Sequence, residues 1–568
     1  MAKDNKKRSP VVKPKVSTSG LEVEKLKAEI ERLRKELKKR KKYGLVWEEK
    51  PEEVVEMCKE KLPVLKEVKN KEISTDRDKP VNLLIEGDNY HALSVLNYTH
   101  AKKVDVIYID PPYNTGNKDF IFNDRYVDRE DAYRHSKWLS FMEKRLKLAK
   151  NLLKDTGVIF ISIDDNEVAQ LKSLMDDKNR GMFGENNLES IICWRRRTNQ
   201  PNDKSKMIAK VAEFLLVYAK NSNILKEKRA FNTIPLGEMR ANSYSNPDND
   251  PRGPWSTTPW RASRGQGGTK YKIKTPTGRI YDEVWLGMKE TFEKLSKDKR
   301  IIFPNNGNGK PRKKVFLRER QQEGQSAINF WFGREYGDNL SASAELNDLF
   351  GGERVFDNPK PINLMKMILR IKTNKDSLIL DFMAGTGTTG HAVLELNKED
   401  GGNRRFILCT NNENEIAEKV CYPRVKKVIE GYKNLKGEKV EGLGGNLKYF
   451  EADEKTFVDA EPTDRNKIAL TEQATEMLCV KEGTFEPVID NKRFKIFKNS
   501  NHYTGIIWDQ TAIPEFKKKI KGIKGKFSVY VFSLGDETFD DEFKDVKQKV
   551  QLSPIPEAIL RVYRRIFK

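Results

Sequence analysis

Residues 80–200 alternate apolar strand-like runs with helical stretches, and this alternation constrains the fold more than any other feature of the chain. VNLLIEGD (81–88) is an apolar run that ends in turn residues, and NYHALSVLNYTH (89–100) reads as a helix. VDVIYID (104–110) is a strand halted by Pro111 and Pro112. SKWLSFMEKRLKLAKNLL (136–153) is an amphipathic helix, VIFISID (158–164) a strand, and NEVAQLKSLMDD (166–177) helical again. Strand–helix–strand alternation at this spacing calls for parallel βαβ units in an open α/β sheet. The rhythm breaks from about 195 to 355. Arg195, Arg196 and Arg197 open a stretch rich in Gly, Pro, Asn and basic residues, with Trp255, Trp260, Trp285 and Trp331 inside it. It resumes with SLILDFMAGTGTTGHAVLELN and RRFILCTNNENEIAEKV. One α/β domain is therefore written in two pieces around an irregular basic–aromatic insert.

A chain of 568 residues exceeds one compact core. The expected layout is a disordered basic tail at 1–20, an N-terminal helical region at 21–75, and the first α/β piece at 76–194. The insert at 195–355, the second α/β piece at 356–435 and an α+β C-terminal domain at 436–568 follow. In the N-terminal region Leu26, Ile30, Leu33 and Leu37 alternate at spacings of four and three, a short coiled-coil-like seam that can pair with another chain or lie on its own core. In the C-terminal region FKIF, GIIW and FSVYVFS read as strands and PEAILRVYRRIF as a helix.

The formal net charge is +23, which points to a polyanionic partner, nucleic acid first. No apolar run approaches a membrane span and no signal peptide is recognisable, so the expected setting is a reducing cytoplasm without membrane association. The five cysteines, Cys58, Cys193, Cys409, Cys421 and Cys479, are scattered without metal-ligand spacing and read as small buried hydrophobes; no metal is expected.

Two motifs carry chemistry. The first, Asp381-Phe-Met-Ala-Gly-Thr-Gly-Thr-Thr-Gly390, follows the strand LIL and precedes a helix. Gly385, Gly387 and Gly390 fit G-x-G-x-x-G, which lets backbone approach a ligand, a signal equally compatible with a dinucleotide fold. Asp381 at the strand end can meet an ammonium group, and the hydroxyls of Thr386, Thr388 and Thr389 suit a zwitterionic amino-acid tail better than a pyrophosphate. The second motif is Asp110-Pro-Pro-Tyr113-Asn-Thr-Gly116, at the end of VDVIYI. An aromatic amine is a poor nucleophile because its lone pair is delocalised into the ring. A carboxylate (Asp110) and a backbone carbonyl (Pro111) that both accept its hydrogens favour a pyramidal nitrogen. The prolines fix the backbone so that the acceptors converge, and Tyr113 offers a ring face to a base lifted from the duplex.

DPPYNTG together with DFMAGTGTTGHA resembles the DNA amino-methyltransferases, in the circular order that puts the catalytic motif before the cofactor motif and the target recognition module between them. LLIEGDNYHAL, GVIFISIDDNEVAQLKSLMD, FDNPKP and NKEDGGNRRFILCTNNENEIAEKVCYPRVKKVIEGY resemble, in particular, the modification (Mod) subunits of Type III restriction-modification systems. The resemblance covers roughly 80–220 and 355–435. It implies a doubly wound Rossmann-like methyltransferase sheet and S-adenosylmethionine as cofactor. It also implies a catalytic motif of Asp110, Pro111, Pro112 and Tyr113, and a cofactor loop of Asp381, Phe382, Ala384, Gly385, Thr386, Gly387, Thr388 and Thr389. Asn358, Lys360 and Pro361 are similar to a segment that closes over the methionine end, and Asp88 to an acid that contacts the cofactor adenine. The strand FILCT departs from the family pattern, ending in Thr410, Asn411, Asn412 and Glu413, which leaves the ribose ligand open between Glu413 and Asn411.

The implied activity is site-specific adenine-N6 methylation of double-stranded DNA, with the insert reading sequence and the adenine flipped onto Tyr113. The implied partners are a second copy of the chain, methylating one strand of an asymmetric site, and a separate restriction (Res) subunit. Alternatives are a cytosine-N4, RNA or orphan DNA methyltransferase, a non-catalytic DNA-binding specificity subunit, and, on the glycine spacing alone, a nucleotide-dependent oxidoreductase.

Overall fold

The computed structural model describes residues 29–31 and 47–567, apart from 77–78, 200–206, 237, 453, 501 and 536. Glu29–Glu31 is helical. The tail expected at 1–20 and the seam residues Leu26, Leu33 and Leu37 lie outside the described residues.

An eleven-stranded mixed sheet organises the chain. Its main strands are β1 (Val81–Gly87), β2 (Val104–Ile109), β3 (Leu153–Ile163), β4 (Leu188–Arg195), β5 (Ala212–Ala219), β6 (Leu378–Asp381), β7 (Arg405–Thr410) and β8 (Asn446–Ala452). Six of them run parallel in the order β3-β2-β6-β7-β1-β8. β5 is antiparallel to β3 and to β4, which extends the sheet on that side. The continuous apolar runs of β2 and β6 follow from burial on both faces, as parallel strands require. From β6 the chain winds to β7 on one side; from β2 it winds to β3 on the other. The crevice beyond the carboxyl ends of β2 and β6 is thus the topological switch point, where open α/β sheets bind ligands.

Helices α1 (Asn89–Thr99), α2 (Arg134–Leu152), α3 (Ile362–Lys372) and α4 (Thr388–Asp400) cover the sheet. α1 is buried almost throughout, between α2, Thr475–Glu482 and Glu557–Ile566. Among the described residues no helix is long and apolar enough to cross a membrane. Cys58, Cys409, Cys421 and Cys479 are buried, and Cys193 is half-buried.

Two expected boundaries, and the expected helical content of one region, differ from the structure. The first α/β piece passes residue 194, because β5 completes the sheet after a polar interruption. Phe330–Trp331 then returns to pair parallel with β4. At the other edge β8 pairs with β1, so the sheet passes residue 435. Residues 21–75 are only partly helical where described: beside the helix Glu53–Glu60, the two-residue strands Lys66–Glu67 and Ile73–Ser74 pair with β8.

Inside the insert, Trp255–Pro259, Ile301–Ile302 and Arg312–Phe316 form one antiparallel sheet. Thr269–Lys274 and Ile280–Trp285 form a hairpin. Trp260, Ile273 and Trp285 make the core of this region, with Phe292 and Leu295 against it. The C-terminal region is a five-stranded sheet of sequential strands, Glu486–Asp490 to Val550–Ile555, with its own core around Phe494, Phe516 and Val529.

Candidate active site

Two loops leave the neighbouring strands β2 and β6 and border one cavity of about 690 Å³, within the range of small-ligand sites, about 300–1,000 Å³. Pro112 faces it from the first loop, and Phe382, Met383 and Gly385 from the second. Asp88, Thr410, Asn411 and Glu413 close the side beyond β1 and β7.

The glycine loop is shaped by what it leaves out. Gly385 has φ +50°, and a Cβ built on it meets no atom within 4 Å, so the space above it is the cavity itself. Gly387 (φ +76°) makes the left-handed turn into α4, and Gly390 lets that helix press on Leu408 and Phe406 of β7. Asp381 is buried. Its Oδ1 accepts from Met383 N at 3.1 Å and its Oδ2 from Thr389 Oγ1 at 2.5 Å. Burial pushes its carboxyl up to about 7, against these hydrogen bonds and helped by the charge of Asp110. A buried carboxyl with a raised pKa regains its charge when an ammonium group sits beside it. The threonine hydroxyls are engaged inside the protein. Buried Arg424 donates to Thr386 at 3.0 Å and Thr388 at 2.7 Å, which braces the loop from behind.

The Asp110–Tyr113 turn is shaped by charge. Trp138 Nε1 on α2 donates to the Pro112 carbonyl at 2.7 Å. Asn114 adopts φ +56° and donates to Glu167 at 2.5 Å, and His135 Nδ1 lies 2.6 Å from the same carboxyl oxygen. Burial pushes Glu167 up to about 8, against the Asn114 hydrogen bond. The Tyr113 hydroxyl lies 2.9 Å from Asp110 Oδ1 and 3.0 Å from Glu213 Oε2. Lys360 Nζ donates to Asp110 Oδ2 at 2.8 Å and to the Tyr113 oxygen at 3.0 Å.

Of the residues expected from the sequence, Asp88, Pro112, Phe382 and Gly385 are gathered at the cavity. Asp88 also caps α1 through Tyr90 N at 2.6 Å and lies 3.4 Å from the Arg145 guanidinium. Lys360 was expected in a segment over the methionine end of the cofactor; its ammonium donates to the Asp110 carboxylate. Asn358 and Pro361 stand apart from the cavity, Asn358 at φ +54° and Pro361 at the start of α3. Glu213, Arg424, Trp138 and Glu167 were missed. The available signal was a charged residue inside an otherwise apolar strand, Glu213 in AEFLLVYA.

The switch-point crevice of this doubly wound sheet carries an acidic Pro-Pro-Tyr turn on one strand and a glycine loop on the next. Residues 104–420 match the DNA methylase family N6_N4_Mtase, more than half of the chain, and the chain belongs to that family. It is 39% identical over 376 residues to the Type III restriction-modification enzyme StyLTI Mod subunit of Salmonella typhimurium strain LT2, covering 61% of this chain and 55% of that one. It is 33% identical over 399 residues to the Type II methyltransferase M.KpnI of Klebsiella pneumoniae, covering 62% of this chain and 89% of that one. The chain spans little more than half the length of the Type III Mod relatives it matches. Among solved structures it is similar to the putative DNA modification methylase TTHA0409 of Thermus thermophilus, complexed with S-adenosyl-L-methionine. The identity is 14% and the TM-score 0.30, over 65% of this chain and 99% of that one.

Proposed function

We propose that this protein is a site-specific DNA adenine-N6 methyltransferase that uses S-adenosylmethionine, as the modification and specificity subunit of a Type III restriction-modification system. The observation that carries the reading is that Pro112 of the catalytic turn and Gly385 of the glycine loop face the same cavity. Open space above Gly385 and the polar wall of Asn411 and Glu413 fit the cofactor, and the buried Asp381 carboxyl lies at the root of the same glycine loop, outside the cavity lining. Asp381 takes the amino-acid end, Asp88 the adenine, and Glu413 or Asn411 the ribose hydroxyls. Bound there, S-adenosylmethionine supplies an electrophilic methyl group.

Asp110 and the Pro111 carbonyl accept the two hydrogens of the target amine and turn its lone pair toward that methyl group. Tyr113 holds the flipped base against its ring. Catalysis rests on positioning and hydrogen bonding, with no covalent link to the protein. DNA lies against the insert. On the outer face of its hairpin, exposed Lys270, Lys272 and Lys274 stand opposite Val284, Asp282 and Ile280. A two-stranded ribbon of this kind fits the major groove, and its lysines can neutralise backbone phosphates. The same reading takes in a cytoplasmic homodimer that methylates one strand and recruits a Res subunit, a proposal carried by the Type III similarity and by the Leu26–Leu37 pattern.

The 89% coverage of M.KpnI favours a second reading, a methyltransferase that acts without such a partner. Single-molecule sequencing of DNA from cells with and without the protein separates the two. Methyladenine on one strand of an asymmetric motif supports the Type III reading. Equal methylation of both strands of a palindrome supports the second, and an unchanged methylome contradicts both.

A further inference from the structure

We infer that Lys360 and Glu213 are positioning residues of the methyl-transfer site: they hold the Asp110 carboxylate ionised and aimed for the target amine. This rests on the reading of Asp110 as the acceptor of that amine. Two acids and two bases form one partly buried network there, with Glu213 the most enclosed. Lys360 Nζ lies 2.8 Å from Asp110 Oδ2 and 3.5 Å from Glu213 Oε2, and Arg196 takes the other Glu213 oxygen at 3.0 Å. The Tyr113 hydroxyl sits between the two carboxylates, and its single proton serves one of them at a time. Glu213 is 3% exposed, so its charge is not left to solvent.

Every element around Asp110 contributes a group. Tyr108 and Tyr113 come from β2 and its turn, Glu213 from β5, Arg196 from the end of β4, and Lys360 from the segment before α3. Asp381 faces it from β6, and Asp164 at the end of β3 faces Glu213. Two carboxylates bridged by one tyrosine hydroxyl raise each other's pKa, and nearby cations offset that repulsion. The anion is the better amine acceptor, because a protonated carboxyl gives one oxygen over to an O–H donor and accepts more weakly at the other. Burial raises the Asp110 carboxyl, and Lys360 is the largest influence that pulls it back. Burial likewise opposes the Lys360 charge, but Asp110 and Glu213 outweigh it and hold the ammonium above its ordinary value. Lys360 thus serves the catalytic carboxylate, in place of the cofactor role its motif suggested.

The test uses the full chain with Lys360→Met, Lys360→Arg and Glu213→Gln. For Lys360→Met we expect S-adenosylmethionine affinity by calorimetry within about threefold of wild type. Turnover should fall about a hundredfold at neutral pH, the scale of one preorganised catalytic group, and the acid limb of the pH–rate profile should move up by about one unit or more. Lys360→Arg should recover most of the turnover. Glu213→Gln, which keeps the shape and removes a like charge, should move the acid limb down. The melting-temperature gap between wild type and Lys360→Met should widen from pH 5.5 to 8. The unpaired carboxyls of the variant bind protons in the folded state, and that stabilisation is lost as pH rises. A constant gap with an unmoved pH profile would make Lys360 a packing residue and overturn the proposal. So would a tenfold or greater loss of cofactor affinity with an unmoved profile, or a Glu213→Gln limb that stays in place. A wild-type protein that transfers no methyl group would instead sink the functional reading, while calorimetry and melting would still report on Lys360.

Discussion

The two loops at the switch point sit on adjacent strands and are built in opposite ways. The β6 loop is made of omissions: Gly385 leaves room for a ligand, Gly387 makes a turn, and Gly390 admits a helix onto β7. The β2 turn is made of side chains: two prolines fix its backbone, and Lys360, Glu213, Trp138 and Glu167 fix its atoms. One loop is sensitive to added volume and the other to removed charge. Binding of the cofactor and activation of the target amine should therefore fail separately.

The largest expected effect is on the charged turn. Asp110→Ala should lower methyl transfer by at least about 10²–10³-fold, with cofactor affinity in calorimetry nearly unchanged. Near-wild-type turnover would break the division between the loops. The glycine loop should show the converse. Gly385→Val places a branched side chain in the cavity at φ +50°, and cofactor affinity should fall by about a hundredfold or more, while the fold, followed by circular dichroism, persists. Unchanged affinity would move the cofactor elsewhere.

A smaller effect sharpens the comparison from the electrostatic side. Asp381 titrates near 7 because it is buried. An ammonium ligand needs its anion, so cofactor affinity should rise about tenfold from pH 6 to 8 once the ligand's own amine is accounted for, and Asp381→Asn should flatten the rise. The sign for the ligand-free protein is opposite. A carboxyl held above its ordinary value of 3.8 favours the proton in the folded state, so its contribution to stability falls as pH rises from that value toward 7. The smallest effect lies outside both loops. Alanine at Lys270, Lys272 and Lys274 should weaken DNA binding across sequences. It should also flatten the salt dependence, log K against log salt, by about 0.9 per lysine, read by fluorescence anisotropy. An unaltered slope would place the phosphate contacts elsewhere.

The sheet was legible where burial on both faces forces a continuous apolar run, as in VDVIYI, VIFISI and LILD, and where a Pro-Pro or glycine turn marks the strand end. It was illegible where pairing is decided by distant partners. Lys66–Glu67 and Ile73–Ser74 are too short for any period, and Phe330–Trp331 reaches β4 from more than 130 positions further along the chain. The motifs put Asp110 and Asp381 at the ends of β2 and β6, and Gly385 in the turn that follows, because a strand stopped by a Pro-Pro or glycine turn is a local signal. They did not show that Lys360 reaches Asp110, since a motif records which residues stand together in sequence and not which carboxylate an ammonium finds. Nor does a motif record that Arg424, 38 and 36 positions away in the chain, donates to the hydroxyls of Thr386 and Thr388. Glu213 carries no motif at all, and only the pairing of β5 with β3 brings it to the crevice.

The most direct test of the central claim is to incubate the purified protein with methyl-labelled S-adenosylmethionine and duplex DNA of mixed sequence, and then digest the DNA to nucleosides. The account predicts label in N6-methyladenine with the wild-type chain and none with Asp110→Ala. Label in N4-methylcytosine, or equal label from the two proteins, would contradict it.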